Sequence, residues 1–181
     1  MSVSIIWSST VGGEAITSII DHGNAANGAA TTPEEIFIRH DGGSNITNVA
    51  LYIREYSGSY SGSATAAADI AEIINWGDQT AEDDFGGFFI NFNAATSYAT
   101  GWPTYSDKSP TGGFVHRTGY GDSESNAIDL PTSTGATATG EIQTGSAAPG
   151  VRFQAKIAVP TNEDTAGVRQ WETVLRYTYT S

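Results

Sequence analysis

The sequence predicts an all-β protein, one antiparallel β-sandwich with a single short helix near residues 65–76. Three observations carry that expectation. Several runs alternate apolar and polar side chains with the two-residue period of a half-buried strand. Clusters of Gly, Ser, Asn and Pro separate these runs at turn positions. Only one stretch places apolar residues at helical spacing, so the crossover helices that a parallel sheet requires are not in evidence.

Taken in order, residues 1–30 are expected as an extended arm preceding the first clear strand. Residues 35–40 read as a strand, residues 41–45 as a Gly-rich turn and residues 46–56 as a second strand, with Val49, Leu51 and Ile53 on one apolar face. That unit predicts neighbouring antiparallel strands. Ile70, Ile73 and Ile74 then sit at helical spacing among good helix formers, and Gly77 is positioned to close the helix in the left-handed conformation. Residues 85–92 form an aromatic strand, whose Gly86 and Gly87 predict a bulge or a close backbone approach. Residues 93–125 read as a long loop region, with Trp102-Pro103 and Ser109-Pro110 and one strand at 114–118.

Short strands are expected at 126–130 and 140–142. Residues 151–159 alternate cleanly, with Arg152, Gln154 and Lys156 outward, and Pro160 ends the run. After the polar segment 161–167, residues 168–180 form the clearest strand, with Val174, Arg176 and Thr178 facing opposite to Thr173, Leu175, Tyr177 and Tyr179. These last two runs predict a long hairpin. The whole pattern fits a sandwich or jelly roll over residues 1–181 as one domain.

The charge balance narrows the function classes. Eight basic against 20 acidic residues give a net charge of -12, which repels phosphate backbones and anionic lipid headgroups, so neither nucleic acid nor membrane is an expected partner. The cysteine count is 0, which removes disulfides and thiolate metal sites from consideration. Residues 1–7 carry no basic, apolar signal pattern, so synthesis in the cytoplasm is the expectation, with any export by another route.

No motif converges on catalysis. His22, His40 and His116 are far apart and lack the spacing of a zinc site. His22 lies in Asp21-His22-Gly23-Asn24 and reads as a turn residue, while His40 ends a strand. The serines of residues 56–62 lack the strand-turn-helix context of a nucleophile elbow, and Gly119-Tyr120-Gly121 lacks the lysine and third glycine of a phosphate loop. Carboxylates pair in sequence at Glu34-Glu35, Asp83-Asp84, Asp122 with Glu124, and Glu163-Asp164, but a hydrolase needs them across a cleft. Residues 121–126 could gather oxygens for calcium, although they read first as a solvated loop without the EF-hand pattern. No catalytic residue, metal ligand or cofactor is expected. Tyr56, Tyr60, Trp102 and Tyr105 lie on Gly- and Ser-rich loops and are the candidate interface residues, with sugar stacking as their alternative role.

Residues 41–49, Asp-Gly-Gly-Ser-Asn-Ile-Thr-Asn-Val between two strands, resemble the strand-turn-strand opening of Ig-like sandwich domains in virion proteins of tailed bacteriophages. Residues 151–180, with Val159-Pro160, a polar loop through Ala166-Gly167 and a final aromatic strand, are similar to the same group. The resemblance implies a non-enzymatic virion structural protein in many copies: a capsid decoration or cement protein, else a tail, neck or baseplate component. Its partners would be major capsid or tail subunits and further copies of itself. A carbohydrate-binding sandwich module that uses the loop aromatics, with or without calcium, is the competing expectation.

Overall fold

The computed structural model describes residues 5–9, 15–16, 20–40, 46–58, 66–77, 79, 86–94, 97–98, 121–129 and 151–179. Among them are eight strands: β1 (Ile5–Ser8), β2 (Glu34–His40), β3 (Ile46–Glu55), β4 (Gly87–Ala94), β5 (Ser97–Tyr98), β6 (Ile128–Asp129), β7 (Val151–Ala158) and β8 (Trp171–Tyr179). One α-helix, α1 (Ala66–Gly77), follows β3, and a 3-10 turn covers Glu124–Asn126. The strands form a five-stranded sheet in the order β1-β2-β7-β4-β5 and a three-stranded sheet in the order β6-β3-β8. Every pairing is antiparallel. The all-β sandwich with one short helix is therefore the observed fold class.

The alternating positions explain the core. Across the larger sheet, Ile36 pairs with Phe153, Phe88 with Ile157 and Ile90 with Ala155, and all six are buried. Across the smaller one, Leu51 lies between Ile128 and Leu175. These inner faces meet in one cluster, and α1 adds Ile70, Ile73 and Trp76 to it. Each fully buried Ile, Leu or Phe contributes about 1.5–3 kcal/mol of transfer free energy.

Two details modify the simple alternation. Ile46 and Val49 are both buried although they are three residues apart. A β-bulge between Thr47 and Ala50, with Asn48 at φ 53°, shifts the register and turns both side chains inward. The larger sheet is also covered on its other face, where Phe37 and Phe89 are buried. The Lys156 ammonium lies 5.7 Å from the Phe89 ring centre, and burial there pushes its pKa down.

The expected hairpins do not form. β7 pairs with β2 and β4, whereas β8 pairs with β3 in the other sheet. Likewise β2 and β3 belong to different sheets. The connection between β7 and β8, residues 159–170, therefore crosses from one layer to the other. β7 already has a neighbour on both edges, so the cheap local partner loses to two long-range ones. The segment after β7 is instead held across α1, as described below.

The helix covers Ala66–Gly77, and Gly77 is its last residue rather than a left-handed closure beyond it. Gly86 fulfils the close-approach expectation: a Cβ there would lie 2.5 Å from the Ala158 carbonyl oxygen. Gly87 follows at φ 117°, in the region that favours glycine. Within residues 1–30, Ile5–Ser8 pair with β2, and Gly28 and Ala30 run along the end of β7, where the Gly28 amide donates to the Val159 carbonyl at 2.9 Å. The strands expected at 114–118 and 140–142, and most of the long loop 93–125, lie outside the described residues.

Candidate functional site

Among the described residues β1 and β8 each end a sheet, and an open groove lies between the two strands. The larger cavity, about 500 Å³, has Ile36 and Phe88 of one sheet and Trp171 and Thr173 of the other as its walls. Trp7 of β1 closes one end, and Ile16, Ile20 and His22 cover it from the N-terminal segment. Tyr56, Arg169 and Gln170 complete the rim.

His22 is the polar centre of this cavity. Its ring stacks on Trp171 at 5.5 Å between centroids and 10° between planes, and meets Phe88 edge-on at 5.8 Å. Phe88 and Trp171 themselves are 5.3 Å apart, so three rings form one cluster. Burial pushes the imidazole pKa down, an effect that neighbouring Asp21 partly offsets, which favours the neutral ring at pH 7. Its Nδ1 is buried and has no hydrogen-bond partner among the described residues. Asp21 accepts a 2.8 Å hydrogen bond from the Gly23 amide, and Gly23 has φ 80°. The turn composition is thus real at the backbone, but the His22 side chain packs inward. Nothing local in the sequence announces that, because Trp171 comes from the far end of the chain.

A group of charged residues fixes the approach to β8. Arg169 is paired with Glu72 of α1 and lies 3.9 Å from Asp69, a carboxylate that is 1% exposed. Asp69 also accepts the Gln170 amide at 2.8 Å, and Glu163 accepts the Trp76 indole and the Thr165 amide, each at 2.8 Å. Two helix carboxylates and one helix indole therefore clamp residues 163–170 onto α1. The clamp delivers Trp171 to the cavity wall. Sequence reasoning missed it, since its members are joined only by the fold.

β8 itself carries a second arrangement. Arg54 of β3 donates to Glu172 at 2.7 Å, and the Ser57 amide donates to the same carboxylate at 2.9 Å. Hydrogen bonds from the Ser57 hydroxyl and amide and from Arg54 hold the Glu172 carboxyl below its ordinary pKa. Arg176 donates to the Glu124 carbonyl at 2.8 Å and lies 3.9 Å from Asp129 of β6. Beside β8 runs an open groove of about 340 Å³, with Ile5 and Trp7 on its far wall and Val174 and Tyr177 on its near one. Tyr177 is 36% exposed although it shares the face of β8 that carries Leu175 and Trp171.

Of the candidate interface residues, Tyr56 lines the larger cavity, while Tyr60, Trp102 and Tyr105 lie outside the described residues, as do His116 and the Gly119-Tyr120 pair. His40 is buried at the end of β2. In residues 121–126 the Asp122 carboxylate is engaged by Asn126 Nδ2 at 2.9 Å, and the Gly121 amide donates to the Asn126 carbonyl at 2.6 Å. Among the described residues no group of three or more His, Asp or Glu is placed to hold a metal ion, and no described helix is long and apolar enough to cross a membrane. Comparison of the chain with protein-family models, curated proteins and solved structures found no match.

Proposed function

We propose that this chain is a non-enzymatic virion structural protein that works by multivalent protein–protein contact, as a capsid decoration or cement protein, else as a tail, neck or baseplate component. The observation that carries the contact reading is the open side of the sandwich. There β8, nine residues long, has a strand neighbour on one edge only among the described residues. An unpaired strand edge is a template for another chain, and many such weak contacts in a lattice add up to strong attachment. The virion class comes from the resemblance of residues 41–49 and 151–180 to tailed-phage sandwich domains. The partners would be capsid or tail subunits and further copies of the chain, assembled in the host cytoplasm without a cofactor.

Antibody-gold labelling of native particles tests this reading, together with co-sedimentation of the purified protein with capsid shells and tails. Regular labelling and saturable co-sedimentation are expected. Absence from particles, with no affinity for shells or tails, would overturn it.

The carbohydrate-binding reading keeps one specific support, because Trp7, Tyr56 and Trp171 line a cavity with Gln170, Thr173 and Arg169 at hand for hydroxyl groups. A glycan array with and without chelator separates the two readings. Glycan binding that disappears in Trp171→Ala would favour the sugar module.

A further inference from the structure

We propose that the open edge of β8 docks the same strand of a second copy of this chain, in an antiparallel register with a two-fold axis at Val174. This deepens the contact reading above and rests on it, naming one partner and one surface.

The argument starts from the order of residues. In Trp171-Glu172-Thr173-Val174-Leu175-Arg176-Tyr177, an antiparallel pairing about Val174 sets Glu172 opposite Arg176 of the second copy, and Arg176 opposite its Glu172. It also sets Trp171 opposite Tyr177, an aromatic cross-strand pair on the inner face. Only one antiparallel register brings Glu172 and Arg176 together. Because the offset is even, each residue meets a neighbour on its own face of the sheet.

The geometry within one chain extends the match. Ala50 is opposite Asp129 on one side and Arg176 on the other, and Arg54 is opposite Glu172. Arg176 reaches toward Asp129 across Ala50, at 3.9 Å, and Ala50 is fully buried beneath it. Dimerisation through β8 would therefore build a row across the joined sheet that reads Asp129, Ala50, Arg176, then Glu172 and Arg54 of the second copy. The charges run minus, plus, minus, plus, and the two-fold axis generates the row twice. A chain of net charge -12 gains little from random self-contact, so a surface where like copies meet with opposite charges is a specific device. Among the described residues no strand pairs with this edge of β8, and a groove runs beside it.

The test is analytical ultracentrifugation of the full chain and of two charge variants, Glu172→Lys and Arg176→Glu. The wild-type chain should sediment at twice its 19.0 kDa mass at sufficient concentration. Each variant alone places like charges opposite one another twice and should dimerise about tenfold or more weakly. An equimolar mixture restores both opposite-charge pairs, so it should form heterodimers at wild-type strength, which also shows that both variants are folded. A monomeric wild-type chain overturns the proposal, as does a dimer whose strength neither the variants nor their mixture changes. A monomeric chain that still binds shells would remove this interface and leave the virion reading standing.

Discussion

Two regions of the sandwich, the α1 clamp and the β1–β8 edge, differ in how their polar groups are used, although Arg169 and Gln170 of the clamp also line the larger cavity. On the α1 side, Asp69, Glu72 and Glu163 are spent on the chain itself, clamping residues 163–170 over the helix and sealing the core beneath Ile73 and Trp76. On the β1–β8 side, Arg54, Glu172 and Arg176 form solvent-facing pairs along a strand edge, beside a groove and a half-open cavity. The first arrangement holds the chain's own crossing in place, and the second is the surface that the proposed dimer would use. Substitutions on the two sides should therefore separate stability from association.

Ile73→Ala in α1 is expected to have the largest effect on folding, a loss of about 2–5 kcal/mol in denaturant titration, because Ile73 is fully buried in the core cluster and α1 packs on β3 and β4 of the two sheets. Asp69→Ala should cost about 2–3 kcal/mol, since it leaves the Gln170 amide without its acceptor and strips Arg169 of a buried partner. Gly86→Ala should cost about 1–3 kcal/mol through the collision with the Ala158 carbonyl and Pro160. On the open side, Tyr177→Ala and Glu172→Gln should each change the stability of the monomer by less than about 1 kcal/mol, because both side chains reach solvent.

His22 sharpens the comparison through pH. Its folded pKa lies below the ordinary 6.5, so the unfolded chain takes up a proton first as the pH falls. The fold loses stability from His22 as the pH drops below about 6.5, and the loss grows until the folded pKa is passed. The readout is the difference between wild type and His22→Phe. Thermal melts from pH 8 to pH 5 should show the wild type losing ground to the variant as acid is added. Parallel melting curves would place His22 in a solvated setting instead.

Face assignment was legible in the sequence, and partner assignment was not. Phe153, Ala155 and Ile157 alternate with Gln154 and Lys156, and they are buried as that pattern requires. Ile70 and Ile73 at helical spacing gave α1 its inner face. A period of two says which side of a sheet a residue faces, but not which strand lies alongside. Thus β7 and β8 read as a hairpin although a clamped crossing over α1 separates them. The bulge at Asn48 escaped notice because Val49, Leu51 and Ile53 already completed a regular face without Ile46. Of the candidate interface residues the sequence offers, Tyr56 is the one that lines the open side among the described residues. The cavity depends on Trp7, His22 and Trp171, which three separate segments bring together.

Hydrogen exchange followed by mass spectrometry as a function of protein concentration tests most directly whether the open edge is a contact surface between copies. Amides in residues 171–177 should gain protection as concentration rises, while those of α1 remain equally protected throughout. Exchange in β8 that is independent of concentration would contradict a β8-to-β8 interface.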